Sequence, residues 1–465
     1  MLFGNWLNDH KVRQYVAAWT WNLGGMNLGI YLGWSSVAAP MLQSKISPVY
    51  EVPLTDEELS YSASLPFIMA ICFAMPWGYI ANSLGRKITG YLSALCYILC
   101  FATVQKTNSP TIFILGRMIG GIAYCPALFN GPMYIAEIAE PENLGRMSAT
   151  YLISENFGTL MIYVIGGYVS FYFLNVFCMV FGFVFLLLIT IFPESPVYFL
   201  KNDRPTEARL ALQYFRPRNN ETYLDSEMKR LNDTFILAKE MKLKFLFTKH
   251  TLMAMFIAFC MQLGIQMTGI NYITMYTVPI FQRTASLIDP YMSASIAGTI
   301  HTIAPCLYFI IVKYFGRKTI AVWSYTLQAL VWATLGSYYF YIEHHSVDDS
   351  SSLNYFPVIC ISLFFLTYSS GGGAIPFTIY SEIFSSEVRN TVLPFIYVWN
   401  ALAAFGVLKF IPTVVYQTIH MSGVFWVFSV SCFLTVVFTL VFIPETKGKS
   451  FLTIIDDLTK KAWWK

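Results

Sequence analysis

Charged residues are scarce in this chain. They make up 12% of its 465 residues, against about 25% in an average soluble protein. Hydrophobic residues account for 56% of the chain, and the mean hydropathy is +0.54. So little charge excludes an ordinary soluble enzyme, because most of the surface would lack groups that water solvates well. The composition predicts a polytopic membrane protein that is surrounded by the lipid bilayer.

Paired cysteines, metal-ligand spacings and catalytic motifs are also missing from the sequence. All nine cysteines lie in apolar runs, and none has CxxC or Cys/His spacing. No Ser/His/Asp motif or phosphate-binding loop occurs. We therefore expect neither an enzyme nor an ATP-driven pump, and no metal or cofactor. The net charge of +4 is scattered, so we expect no nucleic-acid partner.

Twelve segments are long and apolar enough to cross a bilayer, which requires about 20 residues of helix. The predicted spans cover approximately residues 15–38, 62–83, 88–106, 110–135, 147–169, 171–192, 250–278, 291–313, 318–341, 354–380, 390–416 and 421–443. The sequence thus predicts an all-α membrane protein with two bundles of six helices each.

A charged stretch interrupts the series of spans after the sixth. Residues 206–215 and 226–243 within it carry apolar side chains at helical spacing, which predicts short surface helices between the two bundles. The predicted organisation is an N-terminal six-helix bundle, a linker with short helices, a C-terminal six-helix bundle and a tail, at residues 1–192, 193–249, 250–445 and 446–465 respectively.

The basic residues are distributed unevenly across the predicted membrane. If both termini lie in the cytosol, almost all of the 30 Lys and Arg residues are cytosolic, as membrane proteins generally prefer. The exceptions are Lys45, Lys106 and Arg283 in outer loops and Arg117 and Lys409 within spans. This asymmetry predicts a multi-pass protein of the cell membrane with cytosolic N- and C-termini.

Three short signatures occur twice, in the same order, in the two halves of the chain. The pairs are GYIANSLGRK (78–87) with VKYFGRK (312–318), YIAEIAEPENLGR (134–146) with IYSEIFSSEVR (379–389), and PESPVYFL (193–200) with PETKGKSF (444–451). Each pair follows equivalent spans. The repetition predicts duplicated six-helix halves with a binding site at their interface.

Together these motifs resemble the sugar porter branch of the major facilitator superfamily over nearly the whole chain. The resemblance rests on Gly116, Arg117 and Gly121 in span four, PESP at 193–196, Gln262 with Gln266-x-x-Gly269-Ile270-Asn271 in span seven, and PETKG at 444–448. Within that branch the chain is similar to the facilitated trehalose transporters of insects. The resemblance implies the major facilitator fold, a small neutral sugar as cargo and a monomer.

The resemblance also implies which side chains contact the sugar. Intramembrane polar groups are the default functional candidates, and amides suit hydroxyl-rich ligands because they both donate and accept hydrogen bonds. The implied substrate-binding residues are Gln262, Gln266, Asn271, His301, Phe377 and Asn400. Tyr276 would cover the site as an outer gate. The alternatives are interhelical hydrogen bonding for the amides, packing for His301 and an interfacial aromatic belt for Tyr276.

Several residues depart from the family pattern. The expected glutamine of span five is Leu152, the middle amide of span seven is Ile265, the acid before the span-ten glycines is Ser369, and the second tryptophan is Ala401. We therefore expect a less polar pocket than in a typical hexose carrier, with trehalose or a hexose as candidate cargo.

Coupling to protons is disfavoured by what span one lacks. Proton-driven relatives carry an aspartate there, near the span-four arginine, but residues 29–33 (GIYLG) offer Arg117 no acid. This favours facilitative uniport. The alternative coupling acid is Glu155 in span five, which could also be a structural partner of Arg117 or lie in water near the cytosolic end.

The resemblance assigns the cytosolic charges to a gate that joins the halves when the carrier faces outward. Its members are Arg86, Glu137, Arg146, Arg317, Glu382 and Arg389. Three departures, Asn82, Lys313 and Leu144, predict a weakened network. That weakening and the thinned pocket leave open a non-transporting sugar sensor on the same fold, although the short tail favours a carrier. The linker and PESP favour a sugar over an organic ion.

Overall fold

The computed structural model describes residues 9–44, 53–217, 221–239, 248–283, 288–345, 352–384, 386–449 and 451–461. The described residues are almost entirely helical. Some helices, such as His10–Gln43 and Asp56–Ser83, extend several residues beyond the apolar windows in the sequence, because a helix can continue past the hydrocarbon into the interfacial region.

The prediction of twelve spans in an all-α membrane protein is confirmed. Spans one to six are His10–Gln43, Asp56–Ser83, Arg86–Gln105, Pro110–Ile122 with Tyr124–Ile138, Pro141–Gly166 and Phe171–Leu188. Spans seven to twelve are Lys249–Met267 with Ile270–Gln282, Pro290–Tyr314, Arg317–His344, Phe356–Thr367 with Tyr368–Gly372 and Ile375–Ile383, Ser386–Phe410 with Ile411–Val415, and Tyr416–Phe442. Within the described residues nine spans meet a strict length and hydropathy criterion; spans one, five and nine are more polar.

Short helices connect the halves, as the sequence predicts. They are Pro196–Lys201, Pro205–Phe215 and Glu221–Lys239, and a tail helix covers Phe451–Lys461. The linker is attached to the N-terminal half, since Gln14 Nε2 donates to the Phe215 carbonyl at 2.7 Å. Arg216, which is buried, donates to the Ile138 carbonyl at 2.7 Å and pairs with Glu227 at 3.0 Å.

Spans four, seven and ten are interrupted near their middles, and neighbouring side chains satisfy the backbone groups that each interruption releases. Trp77 Nε1 donates to the Ile122 carbonyl at 2.7 Å in span four, and Trp332 Nε1 donates to the Thr268 carbonyl at 2.9 Å in span seven. In span ten, Ser324 Oγ accepts from the Gly372 amide at 2.7 Å. Broken helices are tolerated in a membrane only where protein or a cavity supplies such partners.

The duplicated signatures form the same clamp in both halves. Glu194 accepts hydrogen bonds from the amides of Arg86 and Lys87 at 3.1 and 2.9 Å. Glu445 accepts from the amides of Arg317 and Lys318 at 2.8 and 3.2 Å. Each glutamate thus caps the helix that begins at the arginine of the GRK sequence. Burial raises the pKa of the Glu194 carboxyl, and the donated hydrogen bonds oppose that shift.

The halves meet along spans one and seven, two and eleven, and five and eight. We call the end of the bundle near His10 and Phe442 the terminal end, and the end near Gln43, Asp56 and Arg283 the far end. Towards the far end, Ser36 Oγ accepts from the Val278 amide at 2.8 Å. Tyr163 donates to the Thr274 carbonyl at 2.6 Å. These contacts close the far end of the interface.

Candidate functional site

Three amide side chains form a hydrogen-bonded cluster at the interface. Asn271 Nδ2 donates to Gln266 Oε1 at 2.8 Å, and Gln266 Nε2 donates to Asn400 Oδ1. All three residues are buried, with exposed fractions of 3% for Gln266, 8% for Asn271 and 6% for Asn400. The Tyr124 hydroxyl, from the other half, lies within hydrogen-bonding reach of Asn400. Three of the predicted site residues, Gln266, Asn271 and Asn400, are therefore brought together where the halves meet.

The interruption of span seven is what places two of these amides side by side. Gly269 has a φ of +85°, a conformation that glycine adopts without steric cost. It ends the helix that carries Gln266 and begins the helix that carries Asn271. A Cβ at this position would also lie 2.7 Å from the Phe428 ring. The two amides thus project from the ends of two helices.

Gln262 and Phe377 lie apart from the amide cluster. Gln262 Oε1 accepts a hydrogen bond from the Tyr380 hydroxyl at 3.1 Å. The Phe377 ring lies 6.1 Å from the Tyr380 ring, and the side chain is 42% exposed. Gln262 therefore has an interhelical partner in this conformation, in line with the alternative stated for amides in membranes.

His301 lies beside span five. Its ring stacks on Phe365 with centroids 4.3 Å apart, and its carbonyl accepts from Asn156 Nδ2 at 2.8 Å. The side chain is 6% exposed, and its Nδ1 has no hydrogen-bond partner among the described residues. His301 therefore contributes to packing between the halves, and its Nδ1 is left available for a hydrogen bond.

The N-terminal half contributes Glu155 to the interface. Its carboxylate is half-buried and lies within electrostatic range of the hydroxyls of Tyr124, Tyr151 and Tyr368. Tyr368 belongs to span ten, so this carboxylate faces the other half. In the described part of the chain no hydrogen bond to this carboxylate is found. It is a polar group of the N-terminal half close to the tyrosine, Tyr124, that reaches the amide cluster.

Arg117 is fully buried within the N-terminal half. Its Nη2 donates to Ser35 Oγ at 2.7 Å and to the Tyr31 carbonyl at 3.2 Å, and the guanidinium lies 3.9 Å from the centroid of the Tyr31 ring. Span one therefore holds one nitrogen of this cation through backbone and hydroxyl groups and covers its face with an aromatic ring, while Nε and Nη1 have no hydrogen-bond partner among the described residues. Among the described residues, no ion pair or hydrogen bond joins Glu155 to Arg117, so the alternative that they are structural partners is not supported.

The charged residues of the terminal end pair within each half in this conformation. Arg86 pairs with Glu137 at 2.7 Å, and Arg317 pairs with Glu382 at 2.9 Å. Arg146 is exposed, and the side chain of Arg389 lies outside the described residues. The ion pairs that the sequence predicts between the halves are those of an outward-facing carrier, which is not the conformation described here.

At the far end, by contrast, charged pairs join the two halves across the interface. Asp56 lies 3.9 Å from Arg283, and Glu57 lies 4.0 Å from the ammonium group of Lys409. That ammonium lies 3.4 Å from the centroid of the Tyr61 ring. We call these five residues the far-end latch.

Tyr276 lies beside the latch, at the end of span seven where the sequence places it. A small cavity of about 30 Å³ lies next to it, lined also by Gln43, Asp56, Tyr272 and Arg283. A volume of this size holds one or two water molecules. A sugar therefore has no passage from the far end in this conformation.

Sequence reasoning missed the tyrosines of the site and the latch. Tyr124 and Tyr368 occur among 30 tyrosines, and nothing in their spacing distinguishes them. The acidic residues at the start of span two read as a helix N-terminus, and Thr55 and Glu58 do form a capping box there. Lys409, a basic residue predicted within a span, was the one available signal for the latch.

The sequence is similar to those of known sugar transporters. A family profile described as "Sugar (and other) transporter" matches residues 50–457. The facilitated trehalose transporter Tret1 of Bombyx mori is 27% identical over 449 residues, which cover 96% of this chain and 87% of that protein. The Tret1 of Anopheles gambiae is also 27% identical, and there the match covers 96% of this chain but 56% of that protein.

Solved structures give the same fold. The xylose transporter XylE of E. coli in a partially occluded inward-open conformation superposes with a TM-score of 0.78 at 20% identity, covering 94% of this chain and 99% of that one. Its inward-open form gives 0.77, covering 95% and 98%. These similarities establish the fold, and the family profile covers most of the sequence. The chain is a multi-pass membrane protein that belongs to the family of sugar (and other) transporters.

Proposed function

We propose that this protein carries a neutral sugar, trehalose or a hexose, down its gradient across the cell membrane by alternating access. The observation that carries the proposal is the cluster of Gln266, Asn271 and Asn400 at the broken span seven, on the interface between the halves. Discontinuous helices at a repeat interface are where transporters of this kind bind their cargo. The named activity of the Tret1 relatives supports trehalose as a candidate.

The chemistry of the cluster suits an uncharged polyol. Each amide has two acceptor and two donor positions, and the bonds among the three amides leave several of these free for hydroxyl groups. The mutual bonds hold the amides in position before a ligand arrives, which reduces the ordering cost of binding. We propose that Phe377 and His301 line the access route, and that Tyr276 covers the site from the far end.

We propose that the terminal end faces the cytosol, so that this conformation faces inward. Uniport is favoured because no described acid pairs with Arg117, whose Nη2 donates to groups of span one instead. In the outward-facing state the terminal-end charges of the two halves would meet. Exposed ion pairs contribute about 0–1 kcal/mol each, so neither conformation is strongly favoured by them.

An uptake assay tests the proposed function directly. The chain is expressed in oocytes, and uptake of labelled trehalose, glucose and fructose is measured with and without a pH gradient. We expect saturable uptake of at least one sugar that does not depend on the gradient. A strict gradient requirement would establish a symporter instead. Absence of uptake by protein at the cell surface would favour the sensor.

Removing one amide of the cluster is expected to weaken sugar binding. Gln266→Ala and Asn271→Ala each remove a hydrogen-bonding group worth about 0.5–1.5 kcal/mol, so the KM for sugar should rise about two- to tenfold. The matched control is Gln262→Ala, because that amide is bonded to Tyr380. If the KM values of Gln266→Ala and Asn271→Ala equal that of the Gln262→Ala control, the sugar binds elsewhere.

Breaking the far-end latch is expected to shift the empty carrier outward. Lys409→Met removes the Glu57 pair and the contact with the Tyr61 ring, which together are worth on the order of 1 kcal/mol. The KM measured from outside should therefore fall severalfold relative to the KM measured from inside. Glu57→Gln should act in the same direction, and the double variant should be less than additive. An unchanged ratio of the two KM values would show that the latch does not bias the equilibrium.

A further inference from the structure

Glu155 is an intramembrane carboxylate without a protein partner in the described residues. The charge of such a group is costly in a medium of low dielectric constant unless something solvates it. Its oxygens are not among the sealed polar atoms of the described part of the chain. They therefore reach open space, where water or a ligand can donate to them.

The surroundings of this carboxylate place it on the sugar route. Span five packs closely on span one, with the Glu155 carbonyl against Gly29, so the backbone is fixed. The side chain lies near Tyr97, Tyr124, Tyr151 and Tyr368. Tyr124 in turn reaches Asn400 of the amide cluster. The carboxylate, these tyrosines and the amide cluster therefore lie in the same part of the interface.

Within the described residues, spans one and eight offer this carboxylate no cation. The part of span one against the backbone of span five consists here of Met26, Gly29 and Ile30. Span eight contributes His301, whose carbonyl is bonded to Asn156 and whose ring is stacked on Phe365. With no donor among the described residues, water or the cargo is left to donate to this carboxylate.

We propose that Glu155 is a direct ligand of the transported sugar, accepting hydrogen bonds from its hydroxyls on the wall opposite Gln266 and Asn271, and that its charge excludes anionic sugars. This inference rests on the proposed sugar transport. An ionised carboxylate only accepts, so it complements a polyol, which has many O–H donors. Hydrogen bonds to a charged acceptor are roughly twice as strong as neutral ones. Glu155 thereby substitutes for the amide that is missing at Leu152, one turn earlier in the same span.

The inference predicts how the site treats sugars that differ in charge. Uptake of a labelled neutral sugar is competed with glucosamine, which is cationic, and with glucuronate, which is anionic. In the wild-type protein glucosamine should compete at least about tenfold better than glucuronate, because only the anion is repelled by the carboxylate. In Glu155→Gln, which keeps the shape and removes the charge, the ratio should approach one.

The controls separate this inference from folding defects and from the proposed function. Phe157→Leu changes an exposed side chain of the same span and should keep the wild-type ratio. Surface labelling verifies that each variant reaches the membrane. If Glu155→Gln is poorly folded, Glu155→Asp retains the charge and should retain the preference for glucosamine. Neutral-sugar uptake with an unchanged ratio in Glu155→Gln would overturn the inference alone, whereas no uptake by the wild type would overturn the proposed function.

Discussion

Gly29→Ala is expected to prevent the protein from reaching the membrane in a folded form. Spans one and five pack against each other through glycines at four-residue spacing, Gly25, Gly29 and Gly33. A Cβ at Gly29 would overlap the carbonyl oxygen of Glu155, and this backbone atom cannot rotate away. The helices would have to separate, losing the close packing that drives helix association in lipid. Overpacking of this kind costs about 1–3 kcal/mol or more.

Thermal unfolding in detergent, surface expression and uptake measure this effect. The matched control is Gly78→Ala in span two, where an added Cβ would meet nothing within 4 Å. The control should be as stable as the wild type or slightly more so, since alanine favours helix. Equal melting temperatures for the two variants would show that spans one and five are not packed as described.

Gly269→Ala is expected to lower the transport efficiency more than the loss of either neighbouring amide. The left-handed conformation at this residue costs an alanine about 1–2 kcal/mol, and the added methyl would lie 2.7 Å from the Phe428 ring. Relief of this strain would rotate the two pieces of span seven and move Gln266 away from Asn271. We expect Vmax/KM to fall more than about tenfold, since the amides lose their arrangement together.

Gly448→Ala is the control for backbone strain alone. Gly448 also has a positive φ, +69°, but an added Cβ would have no neighbour within 4 Å. This variant should lose some stability and keep its KM. Comparable transport by Gly269→Ala and the wild type would contradict the assignment of the break in span seven to the binding site.

The fold was predictable because lipid imposes a simple constraint on sequence. A spanning helix must satisfy its own backbone and present apolar side chains, so each span appears as a run of about 20 residues. The more polar spans one, five and nine were also recognisable as apolar segments of sufficient length. The interruption of span four at Ala123 was not predictable, because it depends on the Trp77 side chain of another helix.

The candidate site was predictable only in part. The amides of span seven share a local motif, so their proximity follows from the sequence. Their bond to Asn400, the separation of Gln262 towards Tyr380 and the position of Glu155 depend on how distant spans pack. Hydropathy cannot distinguish an amide that meets a ligand from one that meets a tyrosine, since both are buried polar groups. The far-end latch was missed for the same reason.

The two glutamate clamps show that some contacts are duplicated in both halves, whereas the proposed sugar-binding residues are not. Glu194 and Glu445 hold equivalent helix starts with equivalent bonds, and the adjacent Arg86–Glu137 and Arg317–Glu382 pairs are also alike. The proposed recognition groups, by contrast, are a carboxylate in the N-terminal half and amides in the C-terminal half. The helix-capping and ion-pair contacts are thus alike in the two halves, while the proposed sugar-binding residues differ. Substitutions at the binding residues of one half can therefore change the cargo specificity while the glutamate clamps and the Arg–Glu pairs stay unchanged.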